Sequence, residues 1–190
     1  MGQFAVNVLV DSQDALPGDG VCADAGGNCS LRAAVMEANA TAGPNDVFLP
    51  AGDYLFTLEG DFEDASATGD LDITDDLQIT GEDTRTTVIR ADSLDRIFHV
   101  FAGVSLDLSF VELREGYVSA QDGGAVLNEG NLVLSELSIW SSMAQGSEGT
   151  GAGGGFGGGI CNRGTLSATS VTVANCTALG GRGGNGVAPG

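Results

Sequence analysis

Residues 124–144 read GAVLNEGNLVLSELSIWSSMA, and residues 158–178 read GGICNRGTLSATSVTVANCTA. The two stretches align at an offset of 34 without a gap. Val126 falls on Ile160, Asn128 on Asn162, Gly130 on Gly164, Leu132 on Leu166, Leu137 on Val171 and Ile139 on Val173. Apolar positions meet apolar positions, while Asn and Gly keep their places. A fainter copy, SLDLSFVELREG at 105–116, aligns with 131–142 at an offset of 26. A fixed strand pattern with a variable period is the signature of coils of constant cross-section with loops of variable length. The stretch between the two clear copies, QGSEGTGAGGGFG (145–157), fits an excursion on one edge.

Working outward, residues beyond 45 read as short strands: VFL (47–49), YLFT (54–57), LDI (71–73), LQI (77–79), TVI (87–89), IFHV (97–100), SLDL (105–108) and FVEL (110–113). Most are shorter than the five or six residues of an average strand. They suit a solenoid, in which each coil adds several short strands to long parallel sheets. Alternation sets Leu71 and Ile73 on one side and Asp70 and Asp72 on the solvent side. FAVNVLV (4–10) reads as a first strand, followed by a loop rich in turn formers. SLRAAVMEANA (30–40) then predicts one helix, with Ser30 as N-cap. Its Leu31, Ala34, Val35 and Ala38 fall at i, i+3, i+4 and i+7, one apolar stripe. Asn39 and the Gly43-Pro44 pair stop it. The chain therefore divides into residues 1–44, with the strand, loop and helix, and residues 45–190, with the coils, as one structural domain.

Composition narrows the function classes. The 190 residues carry 26 acids against 7 basic residues, a net charge of −19, and every basic residue is Arg. Such a field repels phosphate, which excludes nucleic acid and anionic membranes as natural partners. The absence of Lys removes Schiff-base and Lys-base chemistry. Residues 1–120 hold 22 of the acids, while residues 121–190 hold 19 of the 31 Gly. No Gly-X-Y period is present, so the glycine is not collagenous. No apolar run approaches a membrane span of ~20 residues. Four Cys in so acidic a chain point to disulfides and an extracellular or cell-surface location.

CSLRAAVMEAN (29–39) resembles the CSLREA-type N-terminal motif of secreted bacterial proteins. GDLDITDDLQITG (69–81) and LDRIFHV (94–100) resemble the coils that follow it there. GGAV (123–126) and GGGI (157–160), each followed by N-x-G, resemble the GGA-I repeat of polymorphic outer-membrane proteins. The resemblance covers nearly the whole chain. It implies a right-handed parallel β-helix with an N-terminal helical cap, and secretion or surface display, with no established activity. On that fold, Leu31, Ala34, Val35 and Ala38 are cap packing.

Several side chains are candidates for sites. A Cys22–Cys29 bridge would close a loop of about eight residues and contribute about 2.5 kcal/mol in the chain-entropy account. Cys161 and Cys176 lie in the last coil, either bridged at its closing corner or as two buried free thiols. Asn128 and Asn162 at one repeat position predict an Asn ladder along the coil axis. Glu59, Asp61, Glu63 and Asp64 are the candidates for calcium, which needs six to eight converging oxygens. GGRGGNGVA (180–188) resembles a calcium-binding nonapeptide, with Asn185 in place of the key Asp. Calcium aside, no cofactor is expected.

Many β-helices cleave acidic polysaccharides. Hydrolases of that fold group Asp residues with G-H-G and R-x-K motifs. Here R-x-K cannot occur, and the one His, His99, sits in the apolar strand IFHV, where it reads as a bonded core or edge residue. Asp53 with Asp75-Asp76 is the remaining carboxylate pair. The chain is therefore expected not to be an enzyme but a secreted structural or adhesive module. Its expected partners are itself, head to tail in an extracellular fibre, or surface glycans. The alternative is a carbohydrate-binding or polysaccharide-cleaving β-helix, for which Trp140, Tyr54 and Tyr117 offer few aromatics.

Overall fold

Every strand pair runs parallel, and each strand's partner lies one repeat away in sequence. The computed structural model describes residues 2–60, 63–147 and 154–181. In it β1 (Gln3–Ala5) and α1 (Leu31–Ala40) precede β2 (Asn45–Leu49), β3 (Gly52–Leu55), β4 (Leu71–Ile73), β5 (Leu77–Gly81) and β6 (Thr87–Arg90). Then come β7 (Phe98–Val100), β8 (Ser105–Ser109), β9 (Glu112–Arg114), β10 (Tyr117–Ser119) and β11 (Val126–Asn128). The chain continues with β12 (Asn131–Trp140), β13 (Met143–Gln145), β14 (Ile160–Asn162), β15 (Thr165–Ala174) and β16 (Thr177–Leu179). Among the described residues the fold is mostly β, with one helix and three parallel sheets. The largest sheet runs β1-β2-β5-β8-β12-β9-β6-β3, with β15 on the other edge of β12; the smaller two run β14-β11-β7-β4 and β10-β13-β16.

The repeat offsets are the sheet register. Val126 pairs with Ile160 and Leu132 with Leu166, the offset of 34. Ser105 pairs with Asn131, the offset of 26. The inward residues thereby stack in rows. Leu77, Leu106, Leu132 and Leu166 form one, and Tyr54, Ile89, Leu113, Ile139 and Val173 another. Apart from the last member of each, these residues are buried. Each such side chain contributes about 1.5–3 kcal/mol through burial.

Local backbone geometry recurs at equivalent register positions. Phe110, Glu136 and Ser170 occupy one register position and share left-handed φ values of 56°, 49° and 56°. They bend the chain between β8 and β9, and inside β12 and β15. The expected strand at 110–113 accordingly begins only at Glu112, leaving Phe110 exposed on the bend. Glu115, Ser141 and Asn175 repeat the device one corner later. The Gly pairs of the repeat have separate causes. Gly123 and Gly157 have φ of 75° and 67°, while a Cβ on Gly124 would collide with Gly158 O.

The expected first strand, 4–10, is cut to Gln3–Ala5. From Val6 the backbone leaves the sheet. Val6 N still donates to Phe48 O, but Asn7 N donates to Cys29 O, turning the chain toward the loop before α1. Leu9 and Val10 are consequently exposed.

Ser30 caps α1, its hydroxyl accepting from Ala33 N at 3.0 Å. Leu31, Ala34, Val35 and Ala38 are buried in the same core cluster as the strand rows. The helix is buried on its polar sides too. Glu37 accepts from Gly18 N and Gly20 N at 2.6 and 2.7 Å. Arg32 is 0% exposed. Its Nε donates to Asp11 Oδ1 at 2.6 Å, Nη1 to Ser66 O at 2.9 Å, and Nη2 to Gly69 O at 2.8 Å. The Phe56 ring lies 5.1 Å from the guanidinium carbon. Asp11 Oδ2 in turn accepts from Thr57 N and Leu58 N at 2.7 and 3.0 Å.

Replacing Arg32 with Met should cost about 3–5 kcal/mol, the usual effect of breaking one side of a buried ion pair. Lys should not restore it, because one ammonium cannot reach three carbonyl and carboxylate directions at once. Urea unfolding followed by circular dichroism checks both, and an Arg32→Lys variant as stable as the parent would contradict this account.

Candidate functional site

The middle residues of the four-stranded sheet point away from the core and fall into one line. Asp72 pairs with His99, His99 with Leu127, and Leu127 with Cys161. Parallel strands lie about 4.8 Å apart. An acid, the molecule's one imidazole, an apolar side chain and a thiol therefore follow one another across the outer face. The triplets LDI, FHV, VLN and ICN carry an alignable signal for this row that the sequence reading did not use.

Asp70 and Asp72 do not face solvent as alternation predicts. Asp72 points outward but is only 1% exposed, because the 63–70 loop folds back over β4. Ser66 fastens it: the hydroxyl accepts from Asp72 N at 2.8 Å and donates to Asp72 O at 3.0 Å, while Ser66 N donates to Asp72 Oδ2 at 3.2 Å. Asp70, also buried, has Arg96 Nε 2.8 Å from its Oδ2. Burial, with the charges of Asp72 and Asp95, pushes the Asp70 carboxyl up to about 8. Arg96 pulls the other way without overcoming them.

His99 lies between two carboxylates. Its Nδ1 is 3.5 Å from Asp72 Oδ1 and its Nε2 is 3.5 Å from Glu129 Oε2. Among the described residues, neither Asp72 Oδ1 nor His99 Nε2 has a hydrogen-bond partner, although both atoms are buried. The Phe101 ring packs on the imidazole with centroids 4.2 Å apart. Arg163 donates from Nη1 to Glu129 Oε1 at 2.9 Å and from Nη2 to Asp122 Oδ2. That hydrogen bond, and then His99, hold the Glu129 carboxyl below the usual range. Such a row can hold a cation or pass a proton between its carboxylates.

The other candidate residues are placed as follows. Cys22 and Cys29 are joined by a disulfide, with Cα atoms 5.1 Å apart. Asn128 Nδ2 donates to Asn162 Oδ1 at 2.5 Å and to Thr165 O at 2.8 Å. These two amides continue the inward row begun by Ile73 and Val100. Cys161 and Cys176 are not bridged. They belong to opposite faces: Cys161 closes the outward row, whereas Cys176 packs against the core and donates to Ala174 O. Burial and the Asp122 carboxylate hold the Cys161 thiol above its ordinary range, against the pull of Arg163.

Of the calcium candidates, Glu63 spends its carboxylate on its own loop, accepting from Ala65 N and Thr68 N at 3.0 and 2.7 Å. Glu59 is exposed, Asp64 lies beside Asp72 and His99, and Asp61 lies outside the described residues. The nonapeptide at 180–188, apart from Gly180 and Gly181, also lies outside them. The carboxylates of Asp53 and Asp75-Asp76 have separate partners. Asp53 pairs with Arg90 at 2.8 Å, Asp75 accepts from Gly43 N, and Asp76 accepts from Ser105 N. Tyr54 is buried, its hydroxyl donating to Pro50 O at 2.8 Å.

At the β15 end the inward rows are uncovered. Leu166 is 41% and Val173 50% exposed, although their row partners Leu132 and Ile139 are fully buried. Sequence reasoning missed Arg32, Glu37 and the Asp72–His99 row, because each depends on contacts more than 15 residues apart. No helix among the described residues is long and apolar enough to cross a membrane. Comparison with protein-family models, curated proteins and solved structures gave no match.

Thiol titration with Ellman's reagent checks the cysteine placement. Non-reduced protein in denaturant should give two thiols per chain, and native protein should react more slowly at Cys161 than a free cysteine does. A count of zero would mean a Cys161–Cys176 bridge.

Proposed function

We propose that the chain is a right-handed parallel β-helix that acts, without catalysis, as an extracellular structural or adhesive module extended by adding β coils at its β15 end. The observation that carries this reading is the exposed inward row of β15. Leu166, Ala168 and Val173 continue buried rows of β12, yet stand exposed beside a strand edge that no described strand pairs. Unpaired edges of this type template further strands. The occupant proposed is a second copy. At the far end of the same sheet, β1 pairs among the described strands with β2 alone and offers a matching edge. A head-to-tail contact between unlike ends does not close and so propagates.

Charge supports the same direction. Most of the acids lie in residues 1–120, so the glycine-rich end meets an acidic neighbour with little like charge of its own. The Cys22–Cys29 disulfide suits an oxidising, extracellular setting. The CSLRAAVMEAN and GG-repeat resemblance is consistent with surface display.

Size-exclusion chromatography with light scattering tests this. The mass should exceed 19.1 kDa, rise with protein concentration and rise further with salt, since screening weakens the repulsion between acidic copies. Leu166→Glu and Val173→Glu should return the protein to monomer. A mass that stops at the dimer would replace the fibre with an end-to-end pair, and a monomer throughout would overturn self-association.

A further inference from the structure

We propose that Asp64, Asp72 and His99 form a binding site for one divalent transition-metal ion of the zinc class. One ligand atom from each lies within 4.8 Å of the other two. The buried Asp72 Oδ1 has no hydrogen-bond partner among the described residues and faces His99 Nδ1 at 3.5 Å. That separation is close to the ~3.4 Å edge of a tetrahedron with metal–ligand bonds of ~2.0–2.1 Å. Asp64 is exposed on the covering loop and completes the third side. The donor set, one imidazole and two carboxylates, suits zinc, manganese or cobalt, whereas calcium takes oxygens alone.

The surroundings match those of a metal-bound imidazole. The second ring nitrogen, Nε2, faces Glu129 Oε2 at 3.5 Å. A carboxylate behind a ligating histidine fixes its orientation and strengthens it as a ligand. The Phe101 ring covers one face of the imidazole. Ser66 holds Asp72 from behind through its hydroxyl and its backbone N–H. Three protein ligands leave a fourth position for water or another oxygen donor. An ion here would tie the 63–70 loop to β4 and β7.

His99 is the one histidine of the chain, so its ring signals report on this site alone. Untagged, metal-free protein is titrated with zinc and followed by proton–carbon NMR of those signals. The ring resonances should move and saturate at one equivalent. Calorimetry should then show affinity falling at least tenfold in Asp72→Asn and in Asp64→Asn, and about tenfold or more in Glu129→Gln. Asp64 is exposed, so its variant keeps the fold even where Asp72→Asn does not. Ring signals that stay fixed with zinc at about 1 mM would overturn the site. So would zinc binding that leaves them unchanged, which would place the ion on the Cys161 or Cys176 thiols, or an unaltered affinity in folded Asp64→Asn.

Discussion

One guanidinium holds the start of this fold together. Arg32 leaves α1 and satisfies directly a carboxylate from residue 11 and carbonyls from residues 66 and 69. Three segments that share no sheet are thereby fixed to one point. A buried ion pair is weak support for stability in general, because desolvation offsets the Coulomb gain. Here its value is positional. Asp11 also receives the backbone of Thr57 and Leu58, and the 63–70 loop that Arg32 grips is the loop that covers Asp72. The conformation of the polar outer row thus depends on a contact made on the other side of that loop.

The sheets were legible because their register is written in the repeat. Val126 over Ile160 and Leu132 over Leu166 could be aligned by eye, and the fold pairs the same residues. The helix was legible for local reasons, an N-cap serine and a 3.6-residue stripe. The rest depended on contacts with no local signature. Nothing near Asp72 announces that Ser66 will cover it, and alternation alone sends it to water. Phe110 looked like a strand residue because its side chain is apolar, whereas its backbone turns a corner. Cys161 and Cys176 looked close in sequence, but Cys161 points outward from β14 while Cys176, at the corner after β15, packs against the core.

The left-handed corners bear on how strain is distributed. An L-residue in that region costs roughly 1–2 kcal/mol, and Phe110, Glu136 and Ser170 all adopt it without being glycine. The cost recurs at one register position of the largest sheet. It is offset by the rows of buried side chains that the bend aligns, so each corner depends on the strands above and below it.

Parallel pairing of each strand with its neighbour one repeat away gives unfolding a direction. At one end α1, the disulfide, Arg32 and Glu37 clamp the first strands from several sides. At the other, β15 and β16 are held by a single neighbouring layer, with their inward side chains half in water. Strands held on one side, with few buried apolar contacts, open before strands held on both sides. Among the described strands, order would therefore be lost first at β15 and β16 and last beside α1. Amide exchange would be fastest in β16, slower at β12, and slowest under α1.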